Sequence, residues 1–240
     1  MAPIDMGTAT SEELNSFSNA LIPVEIDRES LLKAKKRIFL FVKRTFDVIC
    51  SIIALIFLIP LMAIVKLANL ITGDTSSIFY RQKRVGKNGK LIYIYKFRSM
   101  VPNADQILKE MLKDPKYKKE WDENQKFEND PRITKMGKIL RKTSLDEVPQ
   151  FINVLNGDMS IIGPRPLVVG ELDAHKGNHY IYESVRPGIS GWWAANGRSD
   201  TDYDKRLELE YYYCRNCSVD LDIKCVFKTI KAVVCKEGAR

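Results

Sequence analysis

The sequence predicts an α+β fold: a compact membrane-associated domain with one re-entrant, helix-break-helix membrane hairpin, a short β-hairpin and interfacial amphipathic helices. Three observations carry this. Val48 to Val65 is an eighteen-residue run without a charge, and Pro60 stands inside it. A stretch of alternating β-branched and aromatic residues surrounds Asn88-Gly89. Charged segments at 103–128 and 206–234 repeat apolar residues at helical spacing. At 240 residues and 45% hydrophobic, the chain can bury one sizeable core. The expected division is an acidic polar leader over 1–30, a basic flank with the re-entrant helix over 31–72, and a cytoplasmic catalytic domain over 73–240.

The leader holds six acids and a single base, Arg28, a mixed polar composition that suits a mobile or loosely docked segment and not a signal peptide. Residues 31–44 then hold six bases and no acid. Overall, 38 basic and 30 acidic residues give +8, which suits anionic lipid, nucleotide or nucleic acid alike.

Twelve of the eighteen uncharged residues are Val, Ile, Leu or Phe. A straight helix of that length spans about 27 Å, close to the hydrocarbon thickness, and those twelve side chains favour insertion by roughly 4 to 7 kcal/mol gross. Pro60 removes a backbone hydrogen bond and predicts a bend. Beyond Lys66, seven bases up to Arg98 face one acid, Asp74. Both flanks are therefore positive, and a re-entrant hairpin keeps both on the cytoplasmic side, where a straight crossing would not.

SIFYRQKRV and KLIYIYKFR flank GKNG, a hairpin whose Asn88-Gly89 suits a primed turn. Its end delivers Lys96 and Arg98, which read from the residues alone are equally solvated strand ends. Ile107, Leu108, Met111 and Leu112 give 103–128 an apolar stripe that Pro115 should interrupt. At the C-terminus, 206–234 is amphipathic, with Phe227 and Ile230 available for burial or membrane contact.

The densest chemistry is KILRKTSLDEVPQFINVLNGDMSIIGPRP, residues 138–166. Asp146 and Glu147 are adjacent, Arg141 lies upstream, and Arg165 is clamped between Pro164 and Pro166. Adjacent acids can hold a divalent cation together, or one can attack while the other holds it. Arginines supply donor forks matched to phosphate oxygens. The structural alternative is a capping box, Ser144 with Glu147, which is compatible with the functional reading. The odd set of five cysteines, including Cys214-x-x-Cys217, lacks a second pair and reads as reduced thiols. His175 and His179 flank Gly177 and read as a loop.

TSLDEVPQFINVLNGDMSIIGPRP, with YKFRSM at 95–100 and RPGISGWWAANGRS at 186–199, resembles the bacterial sugar transferase family of monotopic phosphoglycosyl transferases, from about Lys43 to the C-terminus. The resemblance implies transfer of a hexose 1-phosphate from a UDP-sugar to undecaprenyl phosphate at the cytoplasmic face of the bacterial inner membrane, opening capsule, exopolysaccharide or O-antigen synthesis. It implies Asp146 as nucleophile, Glu147 as the Mg²⁺ ligand, and Lys96, Arg98, Arg141 and Arg165 as phosphate-binding residues. It also implies a break at Pro60, where the family's serine is replaced by Ile59. Ala194 stands where the family commonly has glutamine in the Trp192-Trp193 loop. The GRSD, LDIK and FKTI strings look more like the galactose or glucose branch than the acetamido-sugar branch. Expected partners are UDP-hexose, undecaprenyl phosphate and the lipid bilayer, with no nucleic acid and with homo-oligomerisation open. Two other readings stay open: a direct single displacement with Asp146 as a metal ligand, and a non-catalytic basic membrane anchor.

Overall fold

The computed structural model describes residues 28–124, 127–174, 177–197 and 201–234. Most of the acidic leader, His175 and Cys235 lie outside them. The fold is mixed, with helices of widely different length around two small sheets.

Helix α1 runs from Arg28 to Ile71, 44 residues, and its helical assignment continues through Pro60. Its part from Ala34 to Ile71 is long and apolar enough to cross a membrane. From Val42 onward α1 belongs to the same compact unit as the rest of the chain. Asp47, Ser51, Leu58, Val65 and Asn69 are buried. At about 100° per residue these five positions fall within an arc of about 40°. The other faces leave Ile52, Ile53, Ile56, Phe57 and Ile59 exposed. The helix is thus a sided strut, with one narrow stripe against the domain and a broad apolar surface outside it.

Polar ties hold the stripe's first turns. Lys43 donates to Ile162 O at 2.8 Å and to Asp222 at 2.6 Å. Arg44 donates to the carbonyls of Val154 and Leu155. Asp47, 2% exposed, accepts from Ile161 N at 2.9 Å and Ser160 Oγ at 3.1 Å. Each tie satisfies a group that burial would otherwise leave unmet.

β1 (Phe79–Val85) and β2 (Leu91–Phe97) pair antiparallel, Tyr80 opposite Lys96 and Arg84 opposite Ile92. Asn88 and Gly89 take φ of 56° and 74°, the left-handed pair that a primed hairpin turn requires. Helices α2 (Ala104–Met111) and α3 (Pro115–Asn124) follow, with Pro115 opening α3 as its fixed φ favours. Then come α4 (Lys135–Thr143), a 3₁₀ turn at Leu145–Glu147 and α5 (Gln150–Asn156). Ser144 does not form the capping box: it ends α4 in the left-handed region, φ 56°, and makes no side-chain cap bond.

β3 (Ser160–Ile162) pairs parallel with β4 (Gly188–Ser190), so the two glycine-proline segments are joined by a second sheet. Backbone proximity explains their glycines. A Cβ on Gly188 would sit 2.2 Å from Gly163 N, and one on Gly191 2.0 Å from Gly163 O. Short helices α6 (Glu171–Ala174) and α7 (His179–Tyr182) lie between these strands, so His179 opens a helical turn and not a loop. Its ring nitrogens face Asp173 and Glu183. α8 (Tyr203–Asn216) and α9 (Val219–Val234) complete the chain. The thiols of Cys214 and Cys225 are free, with burial pushing both pKa values up to about 12.

One core cluster joins Leu58 and Val65 of α1 to Phe97 of β2 and Leu140 of α4, with Leu145 and Val148 packed against it. The apolar strut is therefore part of the platform that carries the adjacent carboxylates.

Candidate active site

Two elements meet at the Asp146-Glu147 pair. The first is the end of β2. Asn153 of α5 donates to Tyr93 O at 2.7 Å and accepts from Tyr95 N at 2.9 Å, so its amide acts as a strand edge that fixes the backbone just before Lys96. The second is α4 with the turn after it. Thr134 caps α4 by accepting from Gly137 N at 2.9 Å. Gly137 presses on Ser99, since a Cβ there would meet Ser99 O at 1.9 Å. From the exposed end of α4, Arg141 Nε donates to Ser99 Oγ at 2.8 Å. Strand end and helix are locked backbone to backbone, and the left-handed Ser144 then turns the chain into Leu145–Glu147.

In that turn both acids are half-buried. Lys96 Nζ contacts Glu147 Oε1 at 2.6 Å. Asp146 makes no ion pair among the described residues. Burial raises its pKa, Lys96 opposes that shift, Glu147 adds to it, and Arg141 opposes it. The site therefore gathers Lys96, Arg141, Asp146 and Glu147 as the sequence led one to expect.

The other two expected arginines stand elsewhere. Arg98 donates to Ser77 O at 2.6 Å, Met100 O at 3.1 Å and Asp74 at 2.8 Å, tying the end of β2 to the segment after α1. Arg165 lies among Arg84, Glu171, Arg206 and Glu210. Its backbone N–H donates to Glu210 Oε1 at 3.1 Å, and its carbonyl accepts from Tyr182 at 2.9 Å. Sequence reasoning missed Ser99, Asn153, Arg206 and Glu210. Ser99 lies inside the YKFRSM motif, next to Arg98, and could have been found there. Trp192 and Trp193 are half-buried: Lys228 lies 4.8 Å over the first ring and Arg206 5.0 Å over the second.

Among the described residues no group of three or more His, Cys, Asp or Glu forms a metal cage. The Glu147 carboxylate is a hard oxygen donor, the ligand type a Mg²⁺ ion takes.

The model of a family described as bacterial sugar transferase matches residues 38–236. The chain is 47% identical over 224 residues to the undecaprenyl-phosphate galactose phosphotransferase of Salmonella typhimurium, covering 93% of this chain and 46% of that protein. It is 43% identical over 202 residues to the exopolysaccharide production protein ExoY of Sinorhizobium fredii, covering 82% and 87%. It is 40% identical over 197 residues to the UDP-glucose:undecaprenyl-phosphate glucose-1-phosphate transferase of Escherichia coli, covering 78% and 39%. The chain thus spans less than half the length of the Salmonella and Escherichia proteins.

Proposed function

Because the chain belongs to the bacterial sugar transferase family, we propose that it moves a hexose 1-phosphate from a UDP-hexose to undecaprenyl phosphate, leaving a diphosphate-linked sugar in the membrane and releasing UMP. The observation that carries the reading is Asp146: a half-buried carboxylate without an ion pair, beside two cations and a second acid that is already paired. That environment separates the roles of two neighbouring carboxylates.

In the first half-reaction an Asp146 oxygen attacks the β-phosphorus of the UDP-sugar. The bond between that phosphorus and the bridging oxygen breaks, and UMP leaves with the electron pair. The product is an aspartyl phosphosugar. In the second, a phosphate oxygen of undecaprenyl phosphate attacks the same phosphorus and the Asp146 carboxylate departs. Lys96 and Arg141 stabilise charge that builds on the phosphoryl oxygens. Glu147 and the donor's own diphosphate would hold Mg²⁺, which neutralises charge on the leaving nucleotide.

The placement proposed is monotopic, on the cytoplasmic face of the bacterial inner membrane, with α1 entering one leaflet and bending back near Pro60. Support comes from the basic residues on both flanks of the uncharged run, which such a path keeps on one side of the membrane. The exposed row Ile223, Phe227 and Ile230 on α9 offers a second lipid contact.

The test is a panel of UDP-sugars given to the purified protein without lipid acceptor. The expected result is UMP release up to about one equivalent with a hexose donor, and a phosphosugar mass on the peptide containing Asp146 that disappears when undecaprenyl phosphate is added. UMP appearing only in the presence of lipid, with no adduct, would replace the covalent route by a direct displacement.

A further inference from the structure

Three arginines from separate parts of the chain converge away from Asp146: Arg84 on β1, Arg165 after β3 and Arg206 on α8. Arg84 is acted on electrostatically by both others, and Arg165 by Arg206. Arg84 is 8% exposed and Arg206 7%. Their protein partners are few. Arg84 Nη2 donates to Gln82 Oε1 at 2.7 Å, Arg206 Nη2 donates to Glu171 Oε1 at 3.1 Å, and Arg165 Nη1 lies 3.9 Å from that same Glu171 oxygen. Arg206 is stacked between Trp193 and Tyr203, 5.0 Å from each ring. Arg84 Nε, Arg84 Nη1 and Arg206 Nε are buried without a hydrogen-bond acceptor among the described residues.

Like charges packed together, with donors hidden from water and unmet, are costly unless an acceptor-rich anion answers them. The local acids do not suffice. Glu171 Oε1 already takes Arg206 and the Tyr203 hydroxyl, and its Oε2 takes Val168 N. Glu210, 1% exposed, accepts the Arg165 N–H through Oε1, and its Oε2 has no partner. Burial holds its pKa up at about 7, so near neutrality its charge is partly extinguished. The Arg165 side chain is 40% exposed and marks the open side of the cluster.

We propose that Arg84, Arg165 and Arg206 form a second phosphate-recognition site, separate from the Asp146 centre, that takes a phosphate group carried by one of the two substrates; the substrate identities rest on the transferase reading above. The separation is visible in the charges: Lys96, Glu147 and Arg141 are among the main charges acting on Asp146, whereas the main charges acting on Arg84 and Arg165 come from one another, Arg206 and Glu171. The two sites are nonetheless neighbours. Arg84 and Tyr80 lie on one face of β1, and Tyr80 stands opposite Lys96, so the two positions are about 13 Å apart along the strand. A phosphate on the arginine cluster would anchor a long substrate beside the carboxylate that reacts with it.

The experiment measures binding to the full chain in detergent, with UMP, inorganic phosphate and a short-chain polyprenyl phosphate as separate probes, in a Lys96→Met background that weakens the Asp146 centre. Arg84→Gln and Arg206→Gln are each expected to weaken at least one probe about tenfold or more, the loss of a charge-assisted bond. Weakening of UMP assigns the site to the nucleotide, and weakening of the polyprenyl phosphate assigns it to the lipid. Weakening of inorganic phosphate alone, with UMP and the polyprenyl phosphate unchanged, would overturn the assignment to a substrate's phosphate. As a second measurement that needs no variant, phosphate or UMP should slow modification of Arg165 by an arginine-selective dicarbonyl. Unchanged affinities together with unprotected Arg165 would overturn the proposal. UMP release by the unaltered enzyme, assayed alongside, reports on the transferase reading independently.

Discussion

Lys96 Nζ lies 2.6 Å from Glu147 Oε1, so the strand end and the 3₁₀ turn are joined by an ion pair one residue away from the carboxylate proposed to react. The pair leaves Glu147 compensated and Asp146 dependent on the more diffuse fields of Lys96 and Arg141. Burial then dominates Asp146 and lifts its pKa above the usual aspartate value.

That lift has a sign that can be measured. Attack requires the carboxylate, so single-turnover UMP release should rise with pH through the raised Asp146 pKa, above the ordinary aspartate range. Lys96 lowers that pKa, so Lys96→Met should move the acid limb to higher pH and slow the plateau rate. A limb that stays put in the variant would remove Lys96 from the control of Asp146.

Glu147 meets the cation question directly. Activity should vanish in a chelator and return with Mg²⁺, and Glu147→Gln should lose most turnover while its melting temperature stays near that of the parent, because an amide is a poorer ligand for a hard cation. Full activity in the chelator would remove Mg²⁺ and this role of Glu147 together.

Gly188 and Gly170 separate packing from backbone strain. A Cβ at Gly188 would meet Gly163 N at 2.2 Å and Ser190 O at 2.3 Å, whereas one at Gly170 meets nothing within 4 Å although φ is +81°. Gly188→Ala should cost about 3 kcal/mol or more, and Gly170→Ala about 1 to 2 kcal/mol. Chemical or thermal unfolding in detergent checks the order. Equal losses would mean that the parallel β3–β4 pair relaxes around the added methyl.

Glu210 should make stability depend on pH. Its folded pKa of about 7 exceeds the ordinary glutamate value of 4.5, so between the two the folded chain retains a proton that the unfolded chain has released. The cost of its ionisation is absent below about 4.5, grows as pH rises through the window and is complete above about 7. Glu210→Gln should therefore gain stability over the parent as pH rises, by at most about 3 kcal/mol. Arg165, Arg206 and Glu171 face the same carboxyl and are unaltered in the variant. Melting curves at pH 5 and pH 8 decide it, and a constant difference between them would contradict the raised pKa.

Topology is tested by accessibility. With cysteine or reporter tags at residue 10 and at the C-terminus, both should be labelled from the cytoplasmic side only. Labelling from opposite sides would make α1 a crossing helix.

Much of this architecture is local and was legible before any coordinates. Asn88-Gly89 specifies its turn, Pro115 divides α2 from α3, and alternation around them sets the hairpin. The motif order likewise led one to group the adjacent acids with Lys96 and Arg141, and the fold brings these four near one another. What the sequence hid is long-range. Asp47 directly precedes the uncharged run with nothing local to mark it, yet it accepts bonds from residues more than a hundred positions away. Ser144 satisfied a capping pattern, yet it serves the turn between α4 and Asp146 through a left-handed backbone that no side-chain rule favours. Arg165 shared a short span with Asp146, yet its neighbours come from β1, α6 and α8 because the β3–β4 pairing directs the Pro164–Pro166 segment there. Periodicity describes which face of an element is apolar and leaves open which distant group will meet it.

The stripe on α1 makes the anchor a structural member of the catalytic body and not a detachable tether. A soluble fragment cut at residue 72 would lose Leu58 and Val65 from beneath Phe97 and Leu140, and the floor under the reactive turn would open to water. Losing even one such leucine costs about 2 to 5 kcal/mol. The route to a detergent-free enzyme is instead to keep the whole helix and recolour its outside, exchanging Ile52, Ile56, Phe57, Ile59 and Leu67 for polar helix formers while Asp47, Ser51, Leu58 and Val65 stay as they are. Such a protein would give up its lipid and keep its shape.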